Sequence, residues 1–309
     1  MSASKAIVLI HGHGAKPAHG ELLRLWGDGL RGGLERDRPD LIESLSGLDI
    51  ELCYYADVYP MDRVAPGEQA QDPALDLVDR QGVLQQLAAL DKPRRFRRSY
   101  YDALPGKSAL PEFLADVSAP LARGLGLGKA AVQRRIPECA AYWQADSDYR
   151  RELQRLVMEV LRPRLAAGQS VLLIAHGFGS VVAYDSLWQL SQEAQGDANR
   201  LHTLLTLGSP LADDTVRAQL EGASQPLAQR YPDNLLHWHN VAAEDDAICH
   251  DETVANDFAP LLQQQRISTL QDHLIYNLSV RYGRSDPHHS LGYLIHPKVT
   301  ELLGRWLES

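Results

Sequence analysis

Two glycines bracket a phenylalanine in Ala175-His176-Gly177-Phe178-Gly179, and what surrounds this turn makes it a place for chemistry. The run before it, Val171 to Ala175, is apolar, branched and short, which suits a buried strand better than a helix. Ser180 to Leu190 then reads as helix. A strand turning sharply into a helix is the frame from which the middle residue of G-x-S-x-G projects a nucleophilic hydroxyl. Here Gly177 stands where that serine belongs. A nucleophile also needs a base, and the base an orienting acid. Candidates lie downstream in Asp245-Asp246 and His288-His289. Upstream, His11-Gly12-His13-Gly14 follows another apolar run, where glycine lets the backbone approach a ligand closely.

Other residues invite chemistry and are better read otherwise. Ser180 lies three positions past Gly177, in the first turn of the helix, where a capping or packing role is expected. Ser209, in Gly208-Ser209-Pro210, reads as a turn residue. The spacing Gly177-Phe178-Gly179 lacks the third glycine of a dinucleotide-binding loop, and no acidic residue ends the next strand. His11, His13 and His19, like His237 and His239, have no companion Asp, Cys or His that completes a ligand set, so no metal is expected. Cys249 beside His250 follows the wrong strand for a thiol nucleophile.

The elements that must position these residues are legible from patterning. Strands are expected at Ala6–Ile10, Asp49–Ala56, Val171–Ala175, Leu201–Leu207, Leu235–Ala242 and Leu274–Val280. Helices are expected at Glu21–Leu34, Asp148–Leu165 and about Pro297–Leu307. Strands alternating with helices imply an α/β fold, a mostly parallel sheet flanked by helices on both faces. Ligands of such sheets bind beyond the carboxyl ends of the strands, and the polar clusters named above follow strand ends. Residues 59–146 break the pattern. Eight prolines from Pro60 to Pro137 punctuate short helical pieces, which reads as an inserted, mainly helical cap between core segments 1–58 and 147–309. Its basic run, Lys92 to Arg98, is expected to be a solvated face.

Bulk composition sets bounds. With 309 residues, 44% hydrophobic and 23% charged, the chain has the make-up of a soluble globular protein. A net charge of -9 argues against a nucleic-acid partner. Cys53, Cys139 and Cys249 are widely spaced and read as unpaired thiols of a reducing compartment. No apolar run reaches membrane-spanning length and the first residues do not read as a signal peptide, so a cytoplasmic location is expected.

Taken together, the loop after the first strand, the strand–turn–helix, the Gly208-Ser209-Pro210 turn and the order nucleophile, Asp, His resemble the α/β-hydrolase superfamily, in its lipase and serine-esterase branches. The resemblance covers both flanks and not the cap. It implies a carboxylic-ester hydrolase working by Ser-His-Asp acyl transfer on a small-molecule or lipid-like ester, with no cofactor. Gly177 would take the nucleophile position, Asp246 (alternate Asp245) the acid, and His289 (alternate His288) the base. The backbone N–H groups of His13 and Phe178 would form the oxyanion hole, and His11, Gly12 and His176 would line the substrate site. Serine replaced by glycine removes the Oγ and leaves a backbone that glycine adopts with least strain. The chain is then an engineered loss of the nucleophile, a natural pseudoenzyme that binds without turnover, or a site where the His-Asp pair activates water. The retained acid, base and loop favour the first.

Overall fold

The computed structural model describes residues 4–58, 73–90, 132–134, 136–193, 200–244, 246, 248–249 and 253–309. The basic run 92–98, Asp245 and His250 lie outside these residues. Six strands form one parallel sheet: β1 (Lys5–Ile10), β2 (Asp49–Cys53), β3 (Ser170–His176), β4 (Leu201–Leu207), β5 (Leu235–Ala243) and β6 (Thr269–Ile275). Their order is β2-β1-β3-β4-β5-β6. A short antiparallel hairpin, β7 (Val280–Arg281) and β8 (Arg284–Ser285), stands apart.

The apolar runs of β1 and β3 are buried on both sides because helices cover both faces. Alternate residues divide accordingly. Ile7, Leu9, Leu172 and Ile174 pack with Leu22, Leu25 and Trp26 of α1 (His19–Asp37). Val299 and Leu303 of the C-terminal helix Pro297–Glu308 join the same core. Val8, Ile10, Val171 and Leu173 meet the opposite layer. Before that layer, in chain order, comes α2 (Pro73–Ala88), whose Val83 and Leu87 belong to the first core, and the short helix Glu138–Tyr142. With the helical residues 132–134, these two helices are the described elements of residues 59–146. The opposite layer itself is α3 (Asp148–Ala166) and α4 (Phe178–Glu193). The Ser147 hydroxyl caps α3 by accepting from the Arg150 N–H. Pro163 sits in the last turn of α3, where it withholds one i→i−4 hydrogen bond, and the helix still runs on to Ala166. After β6, α5 (Ser290–Leu294) leads into α6 (Pro297–Glu308). Among the described residues no helix is long and apolar enough to cross a membrane.

One strand is displaced from its expected place. The last strand of the sheet is Thr269–Ile275, not Leu274–Val280. As an edge strand it exposes one flank, so it carries Gln271, Asp272 and His273 and lacks the apolar signature. The apolar residues after it lie in irregular chain that is buried for another reason. Asn277 donates from Nδ2 to the His289 carbonyl and accepts at Oδ1 from the Ser279 N–H, both at 3.0 Å, which fastens that segment beneath α5.

A buried carboxylate joins α3 to α4. Asp185 accepts from Arg150 Nη2 at 2.7 Å, from the Tyr142 hydroxyl at 3.0 Å and from the Glu221 N–H at 2.8 Å. Burial pushes its carboxyl up to about 6 against the pull of Arg150. A native-state pKa above the unfolded value means the native state holds the proton more tightly. The contribution is therefore fully present below about pH 4 and is lost as pH rises through about 6. Asp185→Asn, which cannot ionise, should gain stability relative to the parent as pH rises from 5 to 8, read as the difference in Tm at each pH. A difference that stays flat across that range would overturn the assignment.

Candidate functional site

The strand order turns at β1 and β3. The chain leaves β1 through α1 towards β2, on one face, and leaves β3 through α4 towards β4, on the other. Such a switch opens a crevice at the carboxyl ends of the two neighbouring strands. The loop His11-Gly12-His13 and the turn His176-Gly177 flank this crevice.

Gly177 has φ +53°, in the left-handed region, and its N–H donates to the Leu207 carbonyl at 2.9 Å. Glycine meets that conformation without Cβ strain. Facing it is His288. The carboxylate of Asp246 accepts the His288 Nδ1–H at Oδ2, 2.7 Å away, so the lone pair of the neutral ring lies on Nε2. That Nε2 is buried and has no hydrogen-bond partner among the described residues. A Cβ built on Gly177 would lie 2.8 Å from it. The acid–imidazole pair is thus aimed at Gly177, which has no side chain.

Asp246 is 2% exposed, at the end of β5. Burial disfavours its charge, but His288 and the hydrogen bonds it accepts outweigh burial and hold the carboxyl below its ordinary range. Those bonds are the Tyr293 hydroxyl to Oδ2 at 2.8 Å and the Ile248 N–H to Oδ1 at 2.9 Å. Tyr293, on α5, in turn accepts the Ala243 N–H at 3.0 Å. Tyr293 was not legible in the sequence. A tyrosine five residues past a histidine carries no signal of contact with an acid 47 positions upstream.

The choice between the two adjacent histidines goes against the first-named one. His289 does not face Asp246. Its Nε2 lies 3.4 Å from Arg80 Nη1, on α2, and its ring is buried. Burial and the neighbouring Arg80 and Arg281 keep it neutral, well below the ordinary histidine range. Its backbone is the N-cap of α5 in an extended conformation, whereas His288 lies in the turn closed by the His289 N–H to the Asp286 carbonyl at 3.0 Å, so the two side chains leave the chain in different directions. His288 therefore receives the acid and His289 the arginine.

His11 and His176, expected in the substrate site, spend their ring nitrogens on the loops. His11 Nδ1–H donates to the Gly12 carbonyl at 2.8 Å while Nε2 accepts the Tyr55 N–H at 3.0 Å. Burial, with Lys16 nearby, pushes its pKa down to about 3, so it stays neutral. His176 Nε2–H donates to the His288 carbonyl at 2.8 Å, tying the turn after β3 to the loop that carries the imidazole. Gly12 is buried beside the His176 ring.

His13 stacks on His288 with ring centroids 5.7 Å apart, and burial pushes its pKa down to about 3. The Phe178 ring is buried among Tyr55 and Tyr142, which leaves only its backbone for the crevice. Among the described residues no acceptor takes the N–H of His13 or of Phe178, the first residue of α4. The two serines are occupied elsewhere. Ser180 Oγ donates to the Gly177 carbonyl at 2.6 Å and lies 2.7 Å from Ser209 Oγ, which accepts the Leu211 N–H.

The crevice therefore holds an oriented imidazole and amide donors, and among the described residues no hydroxyl or thiol is hydrogen-bonded to His288 Nε2. No family model, curated protein or solved structure matches the chain.

Proposed function

We propose that this chain is a carboxylic-ester hydrolase scaffold of the α/β-hydrolase kind, built for Ser-His-Asp acyl transfer and disabled at Gly177. The observation that carries this reading is the buried, unpartnered His288 Nε2 aimed at Gly177 with Asp246 behind it. In such a scaffold His288 would take the proton of a serine hydroxyl, Asp246 would hold the tautomer and stabilise the imidazolium, and the N–H groups of His13 and Phe178 would receive the oxyanion. With glycine at 177 the covalent route is closed, and an ester bound in the crevice forms no acyl-enzyme. Residues 59–146, as a cap, would choose the substrate, a small-molecule or lipid-like ester.

The test is Gly177→Ser, with Gly177→Ala as its steric control, since either Cβ requires the His288 ring to retreat by several tenths of an ångström. The serine variant should react with a fluorophosphonate probe and hydrolyse p-nitrophenyl esters at least about 10³-fold faster than the parent. The alanine variant should do neither. Adding His288→Ala to the serine variant should abolish both signals, and adding His289→Ala should leave labelling in place. A serine variant that folds but neither labels nor turns over any ester would favour a protein that binds without catalysis.

A further inference from the structure

A second cluster of imidazoles lies away from the crevice, on the sheet face covered by α6. His239 on β5 shares that face with Val241, and His273 on β6 shares it with Ile275, both part of the core formed with α1 and α6. His239 and His273 are diagonal neighbours across the two strands. His239 Nδ1 and His273 Nε2 lie 3.3 Å apart, with ring centroids separated by 5.4 Å.

We propose that His239 and His273 form a chelating site for a divalent transition-metal ion of the zinc, nickel or copper class. Imidazole nitrogens bind such ions at about 2.0–2.1 Å, and two of them at a tetrahedral angle stand about 3.3–3.4 Å apart. The register of the sheet already sets the pair at that separation, and each ring has to turn its lone pair from the facing nitrogen towards the ion. The proton now shared between the facing nitrogens would move to the outer nitrogen of one ring, leaving two lone pairs for the ion. Arg305 faces the pair, and Glu301 and Asp272 face His273 with opposite sign. Glu301 is already held by Lys298 at 2.6 Å. Among the described residues no third His, Cys, Asp or Glu completes a ligand group. With two protein ligands the ion would keep water in its remaining positions.

The proposal is independent of the ester-hydrolase reading and is tested without turnover. Titrating the full-length protein with Cu²⁺ and with Ni²⁺ in a calorimeter should show one saturable site. His239→Ala or His273→Ala should weaken binding by at least about tenfold, because each loses a donor and the advantage of the second being tethered nearby. His288→Ala should leave binding unchanged. Electron paramagnetic resonance of the Cu²⁺ complex should show two coordinated imidazole nitrogens, reduced to one in either alanine variant. No saturable site in the parent, or a site whose affinity and spectrum survive both substitutions, overturns the proposal. Circular dichroism and Tm of each variant separate loss of the ligand from loss of the fold.

Discussion

In the Gly177→Ser variant, Asp246→Asn should lower kcat for ester hydrolysis by about 10⁴-fold while the fold is retained. The reason is the proton on His288. The carboxylate accepts from Nδ1–H at 2.7 Å, which leaves the lone pair on Nε2, the nitrogen that faces residue 177. An amide NH₂ in that position would donate to Nδ1, shift the ring proton to Nε2, and leave the serine hydroxyl no base. Charge matters as well, since an imidazolium formed during turnover would lose its buried counter-ion. The amide can keep the hydrogen bond from the Ile248 N–H through its oxygen, so unfolding is not the expected outcome. Ring-proton NMR should show the His288 resonance move from Nδ1–H to Nε2–H. If kcat stays within tenfold of the serine parent, His288 is not the base or Asp246 is not its orienting group.

The second large effect falls on stability. Gly179→Val should cost about 3 kcal/mol, the upper part of the range for overpacking, because what it strikes is backbone. A Cβ at Gly179 would fall too close to the His11 carbonyl oxygen and within 2.9 Å of the Ile10 carbonyl and of Ile10 Cγ2. These atoms end β1, which is held on both sides by β2 and β3 and cannot give way. Gly27→Ala supplies the contrast. It lies in the interior of α1 with nothing within 4 Å of a new Cβ, so the helix should gain up to about 1 kcal/mol. Denaturant unfolding of the two variants should move the midpoint in opposite directions. A Gly179→Val protein as stable as its parent would mean that α4 does not pack against the end of β1 as described, and the crevice geometry would fall with it.

What the residues determined alone was the frame. Five of the six strands were legible, the inner ones as short, largely apolar runs bounded by glycine or polar residues and β2, at one edge, as an alternating run. Helices α1, α3 and α6 were legible because one face of each is apolar at helical spacing. The sixth strand, at the other edge, escaped because Gln271-Asp272-His273 breaks the alternation that β2 keeps, while a buried irregular segment beside it imitates a core strand.

Gly177 and Asp246 could be named as candidates from the order of residues at strand ends. Which histidine faces the acid could not be named. His288 and His289 are equivalent in sequence, and only the turn into α5 decides that one ring meets Asp246 and the other Arg80. Tyr293, Asn277 and the His239–His273 pair were invisible for a related reason. Their contacts join residues that the chain separates by 12 to 47 positions, and no periodicity within one element encodes such a meeting. The glycine at 177 is a property of the sequence. That a buried imidazole nitrogen with no partner among the described residues faces it was decided by the tertiary structure, because the register of β5 and the turn before α5 place Asp246 and His288 together at the carboxyl edge of the sheet.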